Sequence, residues 1–181
     1  KTAIPDLSPW SFGEERAFAK QQKERSEPAD WLITYATEGI PVQFVKREGK
    51  TLLWQQEEGT ITTCFPELIT LKDQIPDGTV IAGKILPLVN DKPAPVSIGQ
   101  NRLSKRYPST THQEKFPVIF LAEDLLELNG TIIGNRPLSE RFDRLVEFTE
   151  ELNSHLVAVP EIVKEEKWES VAKTRDHARQ Q

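Results

Sequence analysis

Between Trp31 and Cys64, short apolar runs are broken by polar and glycine-containing turns at intervals that suit strands and are too short for helices. Strands are predicted at 31–36, 41–47 and 51–56. The first pair is joined by Thr37-Glu38-Gly39 and the second by Glu48-Gly49-Lys50, a hairpin signal. Glu57-Glu58-Gly59 turns the chain again, and Pro66 in the first turn of the next stretch predicts a helix running to about Gln74. Pro76-Asp77-Gly78-Thr79 is a turn that launches a strand over 80–89. A helical stretch is expected at 97–106. The unbroken apolar run from Phe116 to Leu126 predicts a strand covered on both faces. A turn at Leu128-Asn129-Gly130 and a short strand at 132–133 follow. Phe142, Leu145, Val146 and Phe148 then fall at helical spacing after Pro137. A last short strand is expected at 155–159 and a charged helix at 161–181.

Residues 1–28 read as an irregular segment with Trp10 and Phe12 packed on a neighbour, followed by a short helix over 13–26. Residues 29–181 then form one α+β domain, antiparallel β-sheets with flanking helices.

Composition narrows the class. The 181 residues are 37% hydrophobic and 28% charged, which suits a folded chain with one sizeable core. A net charge of −5 argues against a free-standing, high-affinity nucleic-acid binder but leaves room for local contact with DNA. The single cysteine, Cys64, excludes an internal disulfide, and no apolar run approaches bilayer length. A cytoplasmic protein without a membrane partner is therefore the expectation. The chain starts at Lys1 and has no methionine. A piece of a longer protein is expected, or else a sequence from which selenomethionine was left out.

Several strings resemble a known family. DWLITYATEGIPVQ (30–43) is similar to the W-L-x-E-x-K-x-D-G-I-R-x-Q strand of bacterial-type ATP-dependent DNA ligases. LLWQQEEGTITTCFPEL (52–68), IPDGTVIAGKIL (75–86), PVIFLAEDLLELNG (117–130) and RPLSER (136–141) resemble further motifs of the same adenylation domain. The resemblance implies the ligase nucleotidyltransferase (ATP-grasp-like) fold, incomplete at its C-terminus. It also implies ATP and magnesium as cofactors, with nicked double-stranded DNA and DNA-repair proteins as partners.

The resemblance further implies what each site position once did. Such ligases attack the ATP α-phosphate with a lysine amine, and that position here holds Ala36. The adenine-reading glutamate is replaced by Thr34, the arginine after the nucleophile by Pro41, and the second-motif arginine by Gln56. The third-motif glutamate is Lys84, the aspartate two residues before it is Ala82, and the adenine-stacking aromatic is Glu123. Glu38 replaces the motif aspartate, while Gly39 is retained. Each lost arginine removes a charge-assisted contact worth a few kcal/mol in order of magnitude. The domain is therefore expected to be unable to self-adenylate. The alternatives are a catalytically dead scaffold that binds DNA ends or partners, or adenylation through Lys84. Ala36, Gln56 and Lys84 are expected to face one cleft, with Lys84 paired to Glu38 or Glu123.

Other polar residues call for plainer readings. Asp124 and Glu127 are read as structural or solvated carboxylates, although a metal pair is conceivable at that spacing. His112, His155 and His177 lack ligand spacing, so no metal site is expected. Cys64 is read as a buried structural cysteine. Arg102, Lys105 and Arg106 are read as a solvated helix face, with phosphate contact as the alternative.

Overall fold

The computed structural model describes residues 27–178; the expected packing of Trp10 and Phe12, the helix over 13–26 and the extreme C-terminus lie outside them. The described residues form two compact units, one of residues 38–159 and one in which 27–37 joins 160–178.

The larger unit is built on an eight-stranded sheet. Its strands are β1 (Ile40–Arg47), β2 (Lys50–Gln55), β3 (Gly59–Thr60), β4 (Thr79–Val89), β5 (Lys92–Pro93), β6 (Val118–Leu128), β7 (Thr131–Ile132) and β8 (Val157–Ala158). The spatial order is β3-β2-β1-β4-β6-β7, with β5 on β4 and β8 on β6. Every pairing is antiparallel except β6 with β8, which is parallel. The sheet is thus mainly antiparallel, with this one parallel pair added at the edge. The pair's cause is connection length: helix α4 (Leu138–Leu152) returns the chain to the start of β6, as a parallel neighbour requires.

Burial explains the central strands. Val42 through Val45 are all buried on β1, so both faces of that strand are covered. Phe44, Leu53, Ile81, Ile85 and Phe120 form the middle of the core, with the Phe44 and Phe120 rings 6.3 Å apart. Two glycines permit close approaches. A Cβ on Gly83 would lie 2.1 Å from the Leu121 carbonyl oxygen. Gly78, at φ +71°, brings its backbone so close to Gly130 that their amide–carbonyl bond is 2.9 Å.

The helices are shorter than expected. The stretch after Phe65 is a single turn, α1 (Pro66–Ile69), continued as a 3-10 turn at Thr70–Asp73. Helix α2 spans Val96–Leu103 and stops before Lys105 and Arg106. A helix the sequence reading lacks, α3 (Thr110–Lys115), starts at Ser109, whose hydroxyl accepts from the His112 amide at 3.3 Å.

In the smaller unit the expected strand over 31–36 is absent. Only a bridge between Thr34 and Ile162 forms, backed by the Val163 amide donating to the Ile33 carbonyl at 2.8 Å. A strand needs a neighbour along its length, and among the described residues the segment meets one two-residue partner. That pairing also holds 162–163 extended, so the last helix, α5 (Trp168–Ala178), starts at Trp168 and not at Glu161. Trp31 and Trp168 pack edge to face at 6.4 Å.

Candidate functional site

Register across the sheet decides which side chains share a face. Pro41 lies opposite Lys84, Gln43 opposite both Ala82 and Trp54, and Val45 opposite Val80. On the other side of β4, Ala82 faces Asp124 and Val80 faces Glu127. Directly opposed residues point the same way. Pro41, Gln43, Ala82, Lys84, Asp124 and Glu127 therefore lie on one face. Gln56 lies one residue beyond the end of β2 and has no partner in the β1–β2 register, so the sheet does not place it on this face. It is exposed, in the turn that follows the strand.

Glu123 enters through an irregularity. The β4–β6 register steps from Ala82↔Asp124 to Gly83↔Ala122, which leaves Glu123 as an extra residue on β6. A bulge re-aims the side chain it inserts. The Glu123 carboxylate accordingly meets Lys84, with Nζ 3.0 Å from Oε1 and the side chains 26% and 35% exposed. Of the two carboxylates expected to pair with Lys84, Glu123 is the partner. Glu38 is exposed at the entrance to β1. Gly39 lies against this pair: a Cβ there would sit 2.9 Å from the Lys84 Cβ and 2.5 Å from a Leu86 methyl. The retained glycine thus has a steric reason.

Two more ion pairs occupy the same face. Arg141, from the first turns of α4, grips Asp124 with both carboxylate oxygens engaged, at 2.8 and 2.9 Å. This bond raises the guanidinium pKa above its ordinary value, against the opposing effect of burial. Arg47, near the end of β1, pairs with Glu127. Asp124 and Glu127 are thus each bound to an arginine, and no group of three or more acidic, histidine or cysteine side chains able to hold a metal occurs among the described residues. Neither arginine was picked out from the sequence. Arg141 lies inside the RPLSER string, where the resemblance assigned it no role.

Arg102 overturns both readings of the basic cluster. It is fully buried, and its guanidinium donates to the carbonyls of Phe116 and Cys64 at 2.8 and 2.9 Å. It also donates to the Glu67 carboxylate at 2.8 Å and lies 5.2 Å from the Phe65 ring centre. Lys105 and Arg106 remain exposed. Cys64 is buried, and that burial pushes its thiol pKa up, as suits a structural cysteine.

Thr34 and Ala36 belong to the smaller unit. They line a recess of about 410 Å³ together with Val163, Val171 and Thr174. Ala36 is exposed and Thr34 half-buried. No helix among the described residues is long and apolar enough to cross a membrane.

An antiparallel sheet of this order with flanking helices is the ligase nucleotidyltransferase fold. The ligase domain of LigD from M. tuberculosis superposes with a TM-score of 0.62 at 20% identity, covering 80% of this chain and 44% of that one. A mycobacterial DNA ligase D complexed with ATP and MES gives 0.61 at 22% identity, over 79% and 44% of the two chains. No family model matches the sequence. Among curated proteins, a probable DNA ligase of Koribacter versatilis is 31% identical over 104 residues, 58% of this chain and 18% of its own length. The SPbeta prophage-derived DNA ligase-like protein LigB of Bacillus subtilis is 25% identical over 120 residues, 66% of this chain and 41% of its own. A DNA ligase of Methanocorpusculum labreanum is 25% identical over 58% of this chain and 19% of its own length. The chain thus spans about a fifth of the length of the first two ligases it matches. The chain thus has the fold of these ligase domains, and over 58% of its length its sequence is similar to that of curated DNA ligases.

Proposed function

We propose that this is a DNA ligase adenylation domain that no longer loads itself with AMP. Loading requires an amine lone pair to attack the α-phosphate while pyrophosphate leaves. Ala36, at the nucleophile position, carries no heteroatom. The observation that carries the reading is the 3.0 Å pair between Lys84 and Glu123. It engages the one lysine found at a site position, and an ammonium held by a carboxylate has no lone pair to offer.

ATP with magnesium fits this chain poorly. Arg141 and Arg47 on the same face are bound to Asp124 and Glu127, so triphosphate oxygens would have to displace a carboxylate to reach any of these cations. Thr34, Pro41, Gln56 and Glu123 supply neither the cations nor the aromatic surface that the family motif uses. What remains for the domain is to hold a nicked or broken DNA end, or a DNA-repair or recombination protein, in the cytoplasm.

Calorimetric titration with ATP and magnesium, beside a titration with nicked duplex, tests the reading. Binding of the duplex without micromolar binding of ATP is expected. ATP binding at micromolar levels would overturn it.

A further inference from the structure

The loop between α2 and α3 presents an aromatic ring where folding alone gives no reason for one. Tyr107 is 82% exposed, the highest value among the exposed large apolar or aromatic residues described. The exposed cations Lys105 and Arg106 precede it directly. From Val96 to Phe116 the only acidic residue is Glu114, in a chain whose net charge is −5.

The loop is also anchored at both ends. On one side the buried Arg102 ties α2 to the Phe116 and Cys64 carbonyls, and the Lys105 amide donates to the Arg102 carbonyl at 3.1 Å. On the other, Pro108 is buried, its carbonyl accepts from the Gln113 side chain at 3.1 Å, and Ser109 caps α3. Tyr107 is therefore held out by flanking residues that are themselves pinned. An aromatic platform beside adjacent cations matches one chemistry well: a base stacked on the ring with the neighbouring phosphates at the cations.

We propose that loop 104–109 binds unpaired nucleotides, such as the frayed strand at a DNA end, with Tyr107 stacking on a base and Lys105 and Arg106 meeting the flanking phosphates. The inference rests on the DNA-binding part of the proposed function, and narrows it from a duplex to single-stranded nucleotides.

The test is fluorescence anisotropy with a labelled oligothymidylate and a labelled nicked duplex, using the full chain. Tyr107→Ala is expected to weaken oligothymidylate binding roughly tenfold, with Tyr107→Phe close to wild type. Lys105→Ala/Arg106→Ala is expected to lower the slope of log affinity against log salt by about 1.4, at about 0.7 per phosphate contact on a single strand. Unchanged oligothymidylate affinity in all three variants, with duplex binding intact, would overturn the loop's role and leave the proposed function standing. Absence of binding to either DNA would overturn the loop's role together with the DNA-binding part of the proposed function. Equal affinity of the wild type for polyglutamate and oligothymidylate would overturn the nucleotide partner in favour of an acidic protein surface.

Discussion

Removing the buried guanidinium of Arg102 is expected to be among the most damaging single changes in the larger unit. In Arg102→Met the chain keeps most of the buried volume but loses every polar contact made by that group. Two carbonyls, the buried one of Cys64 and the part-buried one of Phe116, lose donors that now sit 2.9 and 2.8 Å away. Each orphaned acceptor costs about 1–3 kcal/mol. The Glu67 carboxylate, its side chain 18% exposed, loses its cation but can turn partly toward water, which holds the total near the lower bound of a simple sum. Breaking a buried pair from one side costs about 3–5 kcal/mol, and that is the range expected here. With a urea slope of about 2 kcal/mol per molar, the midpoint should fall by roughly 1.5–2.5 M. Urea unfolding followed by tryptophan fluorescence measures it directly. Replacing both partners, Arg102→Met with Glu67→Leu, should recover part of the loss, because no carboxylate is then left unpaired. A midpoint shift below about 0.5 M for Arg102→Met would refute the reasoning, since it would mean that the three contacts contribute little net stability.

Glu123→Gln should change unfolding stability by less than about 1 kcal/mol, because the pair it breaks is partly solvated. Calorimetry should then detect several-fold tighter binding of ATP, now that Lys84 is unpaired; unchanged affinity would argue against the self-paired face. Gly83→Ala should destabilise more than Gly39→Ala, because its Cβ would meet a backbone carbonyl at 2.1 Å, whereas the nearest atom to the other is a side-chain methyl at 2.5 Å. Thermal unfolding of the two variants would show equal losses if these close approaches were unimportant. Burial raises the Cys64 pKa above its ordinary 9.0, so the unfolded thiol ionises first. Its contribution is therefore whole below the unfolded value and is lost as pH rises through the higher folded one. Cys64→Ala should lose less stability than the wild type between about pH 8 and 10, as followed by urea midpoints at several pH values.

What could be read from the sequence was what depends on neighbours in the chain. The turns at Glu48-Gly49 and Asn129-Gly130 define hairpins by local backbone preference, and both glycines take positive φ, 71° and 75°. The Lys84 pairing was legible through the resemblance, since a cation in a partly closed cleft calls for a carboxylate and the motif positions of Glu38 and Glu123 put them forward as its partners. Long-range features were not legible. Nothing local distinguishes Arg102 from Lys105 and Arg106; its burial follows from the carbonyls of Cys64 and Phe116, 38 and 14 residues away. The bulge that turns Glu123 toward Lys84 exists only in the pairing of β6 with β4. The segment 31–36 has strand composition, yet its pairing reaches only Ile162 and Val163.

The central claim concerns whether position 36 has lost its chemistry and whether any other residue has taken it over. Intact-protein mass spectrometry after incubation with ATP and either magnesium or manganese, at neutral pH, tests it most directly, on the wild type and on Ala36→Lys. Neither protein should gain the mass of one AMP, the variant failing because Pro41, Gln56 and Glu123 still do not hold the nucleotide and Lys84 stays paired. An AMP adduct on the wild type, at Lys84 or at any other residue, would contradict the account.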